Sequence, residues 1–228
     1  WSKNGLSDIY FLYNFDIIVF MLTDQKQRER AIEKIRKEIL ALTKSPLYKY
    51  RTKNKYIPVV GEGSLFAKIV FIGEAPGRKE AESGRPFQGA SGKLLNELLS
   101  SAGIKREDIY ITNIVNDRPP ENRDPTPAEK KLYSPFLDRQ IRIIQPKVIA
   151  TLGRHSMEYI MTYFGLEKNL EPISSAHGKS FKTKTSYGEV DIVALYHPAV
   201  AIYNRNQKDT LIKDFKVINK LTKEYGNC

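Results

Sequence analysis

Apolar positions along the chain switch between two periods. Over residues 26–42, Ile32, Ile35 and Ile39 recur at helical spacing with Lys and Arg between them, the pattern of an amphipathic helix. KIVFIG (68–73) is instead a short continuous apolar run closed by Gly, as expected of a strand buried on both faces. GKLLNELLSSAG (92–103) predicts a helix with Leu94, Leu95, Leu98 and Leu99 inward and Gly103 as its stop. DIYITNIV (108–115) predicts a second strand, followed by the Pro-rich loop NDRPPENRDPTP. A helical pattern over 128–144 leads into a third buried strand, KVIATLG (147–153), and a further helix over 153–164. VDIVALYHP (190–198) predicts a fourth strand, and a helix over 207–224 carries Leu211, Phe215 and Ile218. Strands alternating with helices predict an α/β fold, a parallel sheet of four strands covered on both faces. Ligands of such a sheet bind at the carboxyl ends of its strands.

Composition adds charge to this picture. Of 228 residues, 41% are hydrophobic and 28% charged, which suits a packed core and excludes wholesale disorder. The 37 Lys and Arg against 26 Asp and Glu leave +11, which points to a polyanion, nucleic acid before an anionic membrane surface. Residues 24–55 hold 11 basic and 4 acidic side chains, a local +7. Residues 1–23 are expected to stand apart from a single domain over 24–228. Their apolar stretch at 9–22 is interrupted by Asp16, is short for a bilayer span and lacks the frame of a signal peptide. Two readings stay open for this segment: sequence upstream of a start at Met21, or an added strand or helix docked on the domain.

Three predicted strand ends carry polar side chains that would share one crevice. The first strand runs into Gly73-Glu74-Ala75-Pro76-Gly77-Arg78-Lys79-Glu80, the second holds Asn113, and the fourth ends at His197-Pro198. The segments GEAPGRKEAESGRPFQGASGKLL, YITNIVNDRPPENRDPTPAE, KVIATLG and YHPAVAIYN, in that order, resemble the uracil-DNA glycosylase superfamily. More narrowly, they resemble its family-four enzymes, over roughly residues 44–220. The resemblance implies a three-layer sandwich around a four-stranded parallel sheet, and hydrolysis of the N-glycosidic bond between uracil and deoxyribose. It implies that Glu74, Ala75 and Gly77 belong to the wall and cradle of the uracil pocket. Phe87 falls where a ring stacks on the flipped base, Asn113 at the base-reading amide, and His197 at the histidine facing the uracil carbonyl. Glu80 falls where the family has a carboxylate near the attacking water. The third position of the first motif, an Asp in the best-known branch, is Ala75 here, so water must be held by Glu80 or by backbone.

Elementary chemistry agrees with these roles. A base inside a duplex must be flipped out before its glycosidic bond can be reached. An aromatic face replaces the lost stacking, worth about 1–3 kcal/mol. An Asn amide offers one donor and one acceptor, matching uracil O4 and N3–H, whereas cytosine presents the reverse. A donor at the developing oxyanion lowers the barrier by about 3–4 kcal/mol. For the grip on DNA, Ser91 and Lys93 at a helix start, Arg154 after the third strand and Lys179 after His177-Gly178 are candidates. Ile202 is the candidate wedge, and Tyr203 stands where many family members have Arg.

The single cysteine, Cys228, excludes an internal disulfide framework and any all-cysteine metal site. The resemblance implies a [4Fe–4S] cluster on four cysteines, yet those positions read Leu42, Ser45, Asp117 and Tyr133. No cofactor and no metal are therefore expected. The expected substitute is packing of Leu42 on Tyr133 and a hydrogen bond between Ser45 and Asp117. The resemblance further implies uracil-containing DNA as partner, single- or double-stranded, no membrane, a monomer, an intracellular cytoplasmic location and a role in base excision repair. A non-catalytic DNA-binding relative is the alternative. A phosphate-ester enzyme is disfavoured, because the GEAPG loop has no G-K-[ST] ending and no G-x-G-x-x-G occurs.

Overall fold

The computed structural model describes residues 24–225; the N-terminal segment and Cys228 lie outside the described residues. Helix α1 (Gln25–Leu40) is capped by Asp24, whose side chain accepts from the Gln27 amide, and buries Ile35 and Ile39. A short helix, α2 (Tyr48–Lys53), follows. The sheet then begins with a two-residue edge strand, β1 (Glu62–Gly63), and continues with β2 (Ile69–Gly73). Helices α3 (Arg78–Ser83) and α4 (Ala90–Ser101) lead to β3 (Tyr110–Asn113). Helix α5 (Pro127–Ile144) starts at a full capping box, with Thr126 and Glu129 each accepting from the other's backbone and Pro127 at the first position. Next come β4 (Val148–Leu152), α6 (Arg154–Tyr163) and the one-turn α7 (Ile173–Ala176). A hairpin of β5 (Ser180–Thr185) and β6 (Gly188–Leu195), then α8 (Ala199–Tyr203) and α9 (Lys208–Glu224), complete the described residues.

The sheet has six strands in the order β1-β3-β2-β4-β6-β5. Its four inner strands are parallel, and β1 and β5 pair antiparallel at the two edges. The expected sheet of four parallel strands thus gains two. Neither edge strand has a buried apolar run: β1 is two residues long, and β5 alternates exposed and half-buried positions with Lys182 and Lys184 on it. Short or lysine-bearing edges also discourage pairing with another chain.

Alternation along the inner strands divides the core between the two faces. On β2, Val70 and Ile72 face a cluster with Ile35, Ile39, Tyr133 and Leu137 from α1 and α5. Ile69 and Phe71 face Leu95, Leu98, Phe215 and Ile218 from α4 and α9. The result is three layers. Strand order reverses about β2, which has β3 on one side and β4 on the other, and a crevice opens beyond its carboxyl end.

Candidate active site

Register brings the polar strand ends level. Gly73 pairs with Asn113 across β2 and β3, and Leu152 with Leu195 across β4 and β6, so His197 lies just past the same edge. A cavity of about 190 Å³ there is lined by Ala75, Pro76, Gly77, Glu80, Phe87, Ser91, Asn113 and His197. A wider groove of about 480 Å³ adjoins it, sharing Ala75–Gly77 and His197 and continuing along Pro119, Asn122, Arg123, Arg154 and His155.

Asn113 is buried and its side chain makes no hydrogen bond among the described residues, leaving the amide to the cavity it lines. Gly73 makes room for it: a Cβ at that position would stand 2.4 Å from Asn113 Oδ1. Phe87 is held at a positive φ of 52°, sparsely populated by a non-glycine residue and typical of strain kept at functional sites. Gly92 permits that turn, because a Cβ there would fall 1.8 Å from the Phe87 carbonyl oxygen. The Phe87 ring lies 5.8 Å from the His197 ring, tilted by 32°, so the two bound one slot.

The Ala199 amide donates to His197 Nδ1 at 3.2 Å. That nitrogen is therefore the acceptor, and the ring proton sits on Nε2. Burial pushes the His197 pKa down to about 4, against a smaller upward pull from Glu80. The imidazole is a neutral Nε2–H donor at neutral pH. Glu80 receives two backbone donors on Oε1, from Gln88 and Gly89, each at 2.8 Å. This clamps the loop carrying Phe87 and leaves Oε2 without a hydrogen-bond partner among the described residues.

Glu74 departs from the expected arrangement. It does not line the cavity but turns into the groove, where Lys130 Nζ stands 3.1 Å from its Oε1. His155, not singled out in the sequence, lies 3.5 Å from the same oxygen and 3.1 Å from Asp124 Oδ2. Glu74, Asp124 and His155 bring ligand atoms within 4.8 Å of one another. Lys130 already sets a cation on the Glu74 oxygen and the Arg154 guanidinium lies 3.1 Å from His155 Nε2, which disfavours a metal there. No sequence signal pairs these residues, since they come from four separate segments.

The DNA-contact candidates divide. Ser91 lines the cavity itself, while Lys93 is exposed on α4 and Arg154 is exposed at the start of α6 beside the groove. Lys179 is engaged with Glu171 at 2.7 Å. Ile202 is 43% exposed, but the neighbouring Tyr203 is 90% exposed and is the more prominent of the two.

The positions of the implied cluster lie together, with different bonds from those expected. Ser45 and Asp117 are not paired directly; the Tyr133 hydroxyl stands between them, 2.8 Å from Ser45 Oγ and donating to Asp117 Oδ2 at 2.5 Å. A phenol has the reach to bridge two groups that a short Ser and Asp cannot close alone. Leu42 is half-buried against the core cluster that contains Tyr133.

Fold and cavity define an α/β protein of the doubly wound kind, with a ring-sized pocket at its switch point and a groove beside it that carries both Arg and carboxylate side chains. The chain belongs to the uracil-DNA glycosylase superfamily, whose profile matches residues 60–221. It is 45% identical over 192 residues to a type-4 uracil-DNA glycosylase of Sulfurisphaera tokodaii, covering 84% of each chain. A type-4 enzyme of Archaeoglobus fulgidus is 44% identical over 191 residues, 84% of this chain and 93% of the relative. One from Thermotoga maritima is 36% identical over 201 residues, 87% and 98% of the two chains.

Proposed function

We propose that the protein is a uracil-DNA glycosylase that draws uracil out of DNA into the cavity and hydrolyses its bond to deoxyribose, opening base excision repair of intracellular DNA. The observation that carries this reading is the meeting of an unengaged Asn113 amide, the Phe87 ring and the His197 Nε2–H around one cavity. The amide pairs with O4 and N3–H of the ring, and Phe87 stacks on its face. As the C1′–N1 bond breaks, its electron pair passes to the uracil ring and charge grows on O2, where His197 donates. Water adds to the electrophilic C1′ and gives up a proton to Glu80 Oε2 or to solvent. Lys93, Arg154, Lys179 and the apolar pair Ile202 and Tyr203 face the strand around the flipped nucleotide.

The test is a labelled oligonucleotide with one uracil, incubated with the protein and then treated with alkali. Breakage at the uracil supports the reading. A mobility shift without breakage would replace it with the non-catalytic DNA-binding alternative.

Glu80→Gln separates water activation from the loop clamp, because the amide oxygen still accepts from Gln88 and Gly89 while the negative charge is lost. A single-turnover rate about 10²-fold lower with unchanged substrate affinity is expected, the lower end for a general base. A variant as fast as the parent leaves Glu80 as a clamp only.

A further inference from the structure

The network around Tyr133 reaches further than the three residues named above. A hydroxyl has one proton, and Tyr133 gives its own to Asp117, so Ser45 donates to Tyr133. Ser45 Oγ in turn accepts from the Leu47 amide at 3.1 Å. Asp117 also receives Arg51, whose Nη1 lies 3.2 Å and 3.0 Å from the two carboxylate oxygens. The same guanidinium donates to the last carbonyls of α1, Ile39 at 3.0 Å and Leu40 at 2.7 Å, and stacks over Tyr48 at 5.0 Å. Five segments therefore close on one buried point: the end of α1, the 45–47 turn, α2, the loop after β3, and α5. Ser45, Arg51, Asp117 and Tyr133 are all at most 5% exposed. Burial pushes the Asp117 carboxyl up, and the Tyr133 and Arg51 bonds pull it back.

The donor set does not fit an iron–sulfur cluster. Leu42 offers carbon, Ser45 and Tyr133 offer hydroxyls bonded to one another, and the Asp117 carboxylate is held by a cation. We propose that Ser45, Arg51, Asp117 and Tyr133 form a metal-free staple that joins the N-terminal helices to the loop following Asn113, so that this chain folds and works without iron. The loop matters to the site, because beyond Asp117 it supplies Pro119, Asn122 and Arg123 to the groove. That the chain works without iron rests on the glycosylase reading; the staple itself does not.

The experiment measures thermal unfolding of Tyr133→Phe, Asp117→Asn and the double variant, with Ser45→Ala as a milder change should either single fail to fold. Tyr133→Phe keeps the ring and removes only the hydroxyl. Each single is expected to lower Tm by roughly 3–10 °C. The double is expected to fall little below the worse single, because the two share one bond. Additive losses, or a Tyr133→Phe Tm equal to the parent's, would overturn the staple. Protein grown with ample iron and purified without oxygen should carry no stoichiometric iron and no cluster absorbance, and chelator should not reduce uracil release. Iron in cluster stoichiometry would also overturn the proposal. Coupled unfolding in a protein that releases no uracil would leave the staple standing and remove the glycosylase reading instead.

Discussion

His197→Ala is expected to lower uracil release at least ten-fold and, on the scale of other oxyanion donors, about 10²–10³-fold. The Ala199 amide claims Nδ1, so the proton on Nε2 is the one free to meet charge on the leaving base. Alanine removes that donor and opens space beside Phe87, whose ring is 5.8 Å away. Burial pushes the His197 pKa down to about 4, so the neutral donor form persists well below the usual histidine range. A pH–rate profile should accordingly show no loss attributable to His197 between about pH 7 and 5. The stability consequence has a definite sign. With a folded pKa below the unfolded value near 6.5, this group's contribution is present above about pH 6.5. It is lost as pH falls towards 4, because the unfolded chain takes up the proton first. Single-turnover rates on a uracil-containing single strand test the role, and a His197→Ala variant at full rate would refute it.

Asn113→Asp is expected to reverse what the pocket reads. In the proposed role the wild-type amide gives one donor and one acceptor to uracil. A carboxylate offers only acceptors, and in a site this buried it is driven towards the protonated form. The acid then accepts from the cytosine amino group and donates to cytosine N3. Uracil release should fall by about 10²–10⁴-fold, the cost of one or two buried groups left unpaired. Cytosine release should rise above that of the parent. Paired oligonucleotides with uracil or cytosine at one position measure both, and an unchanged preference for uracil would remove Asn113 as the reader.

Much of the layering was legible in the chain. The runs that became β2, β3, β4 and β6 are mostly apolar and rich in Ile and Val because both faces of an inner strand are covered, and composition marks them despite Asn113 on β3 and Asp191 on β6. The edge strands were not legible: SFKTKT alternates too weakly in polarity to stand out from a loop, since one side of it meets water. The candidate site was legible as a set of residue types at strand ends, and Ala75, Gly77, Asn113 and His197 do line one cavity. Which way each side chain turns was not. Glu74 shares the motif of Ala75 and Gly77 yet turns from the cavity to Lys130, on a helix more than fifty residues along the chain.

By itself the sequence determined the α/β class, the strands that carry the candidate site and the absence of thiol ligands within residues 24–225, since each of these depends on local residue type and period. Tertiary structure alone decided the His197 tautomer, the clamping of Glu80 by Gln88 and Gly89, and the closing of Ser45, Arg51, Asp117 and Tyr133 on one another. Ser45 and Tyr133 are 88 residues apart. A hydrogen bond requires its partners within about 3 Å. Only the path of the folded chain, and not a pattern along it, brings such groups to that distance.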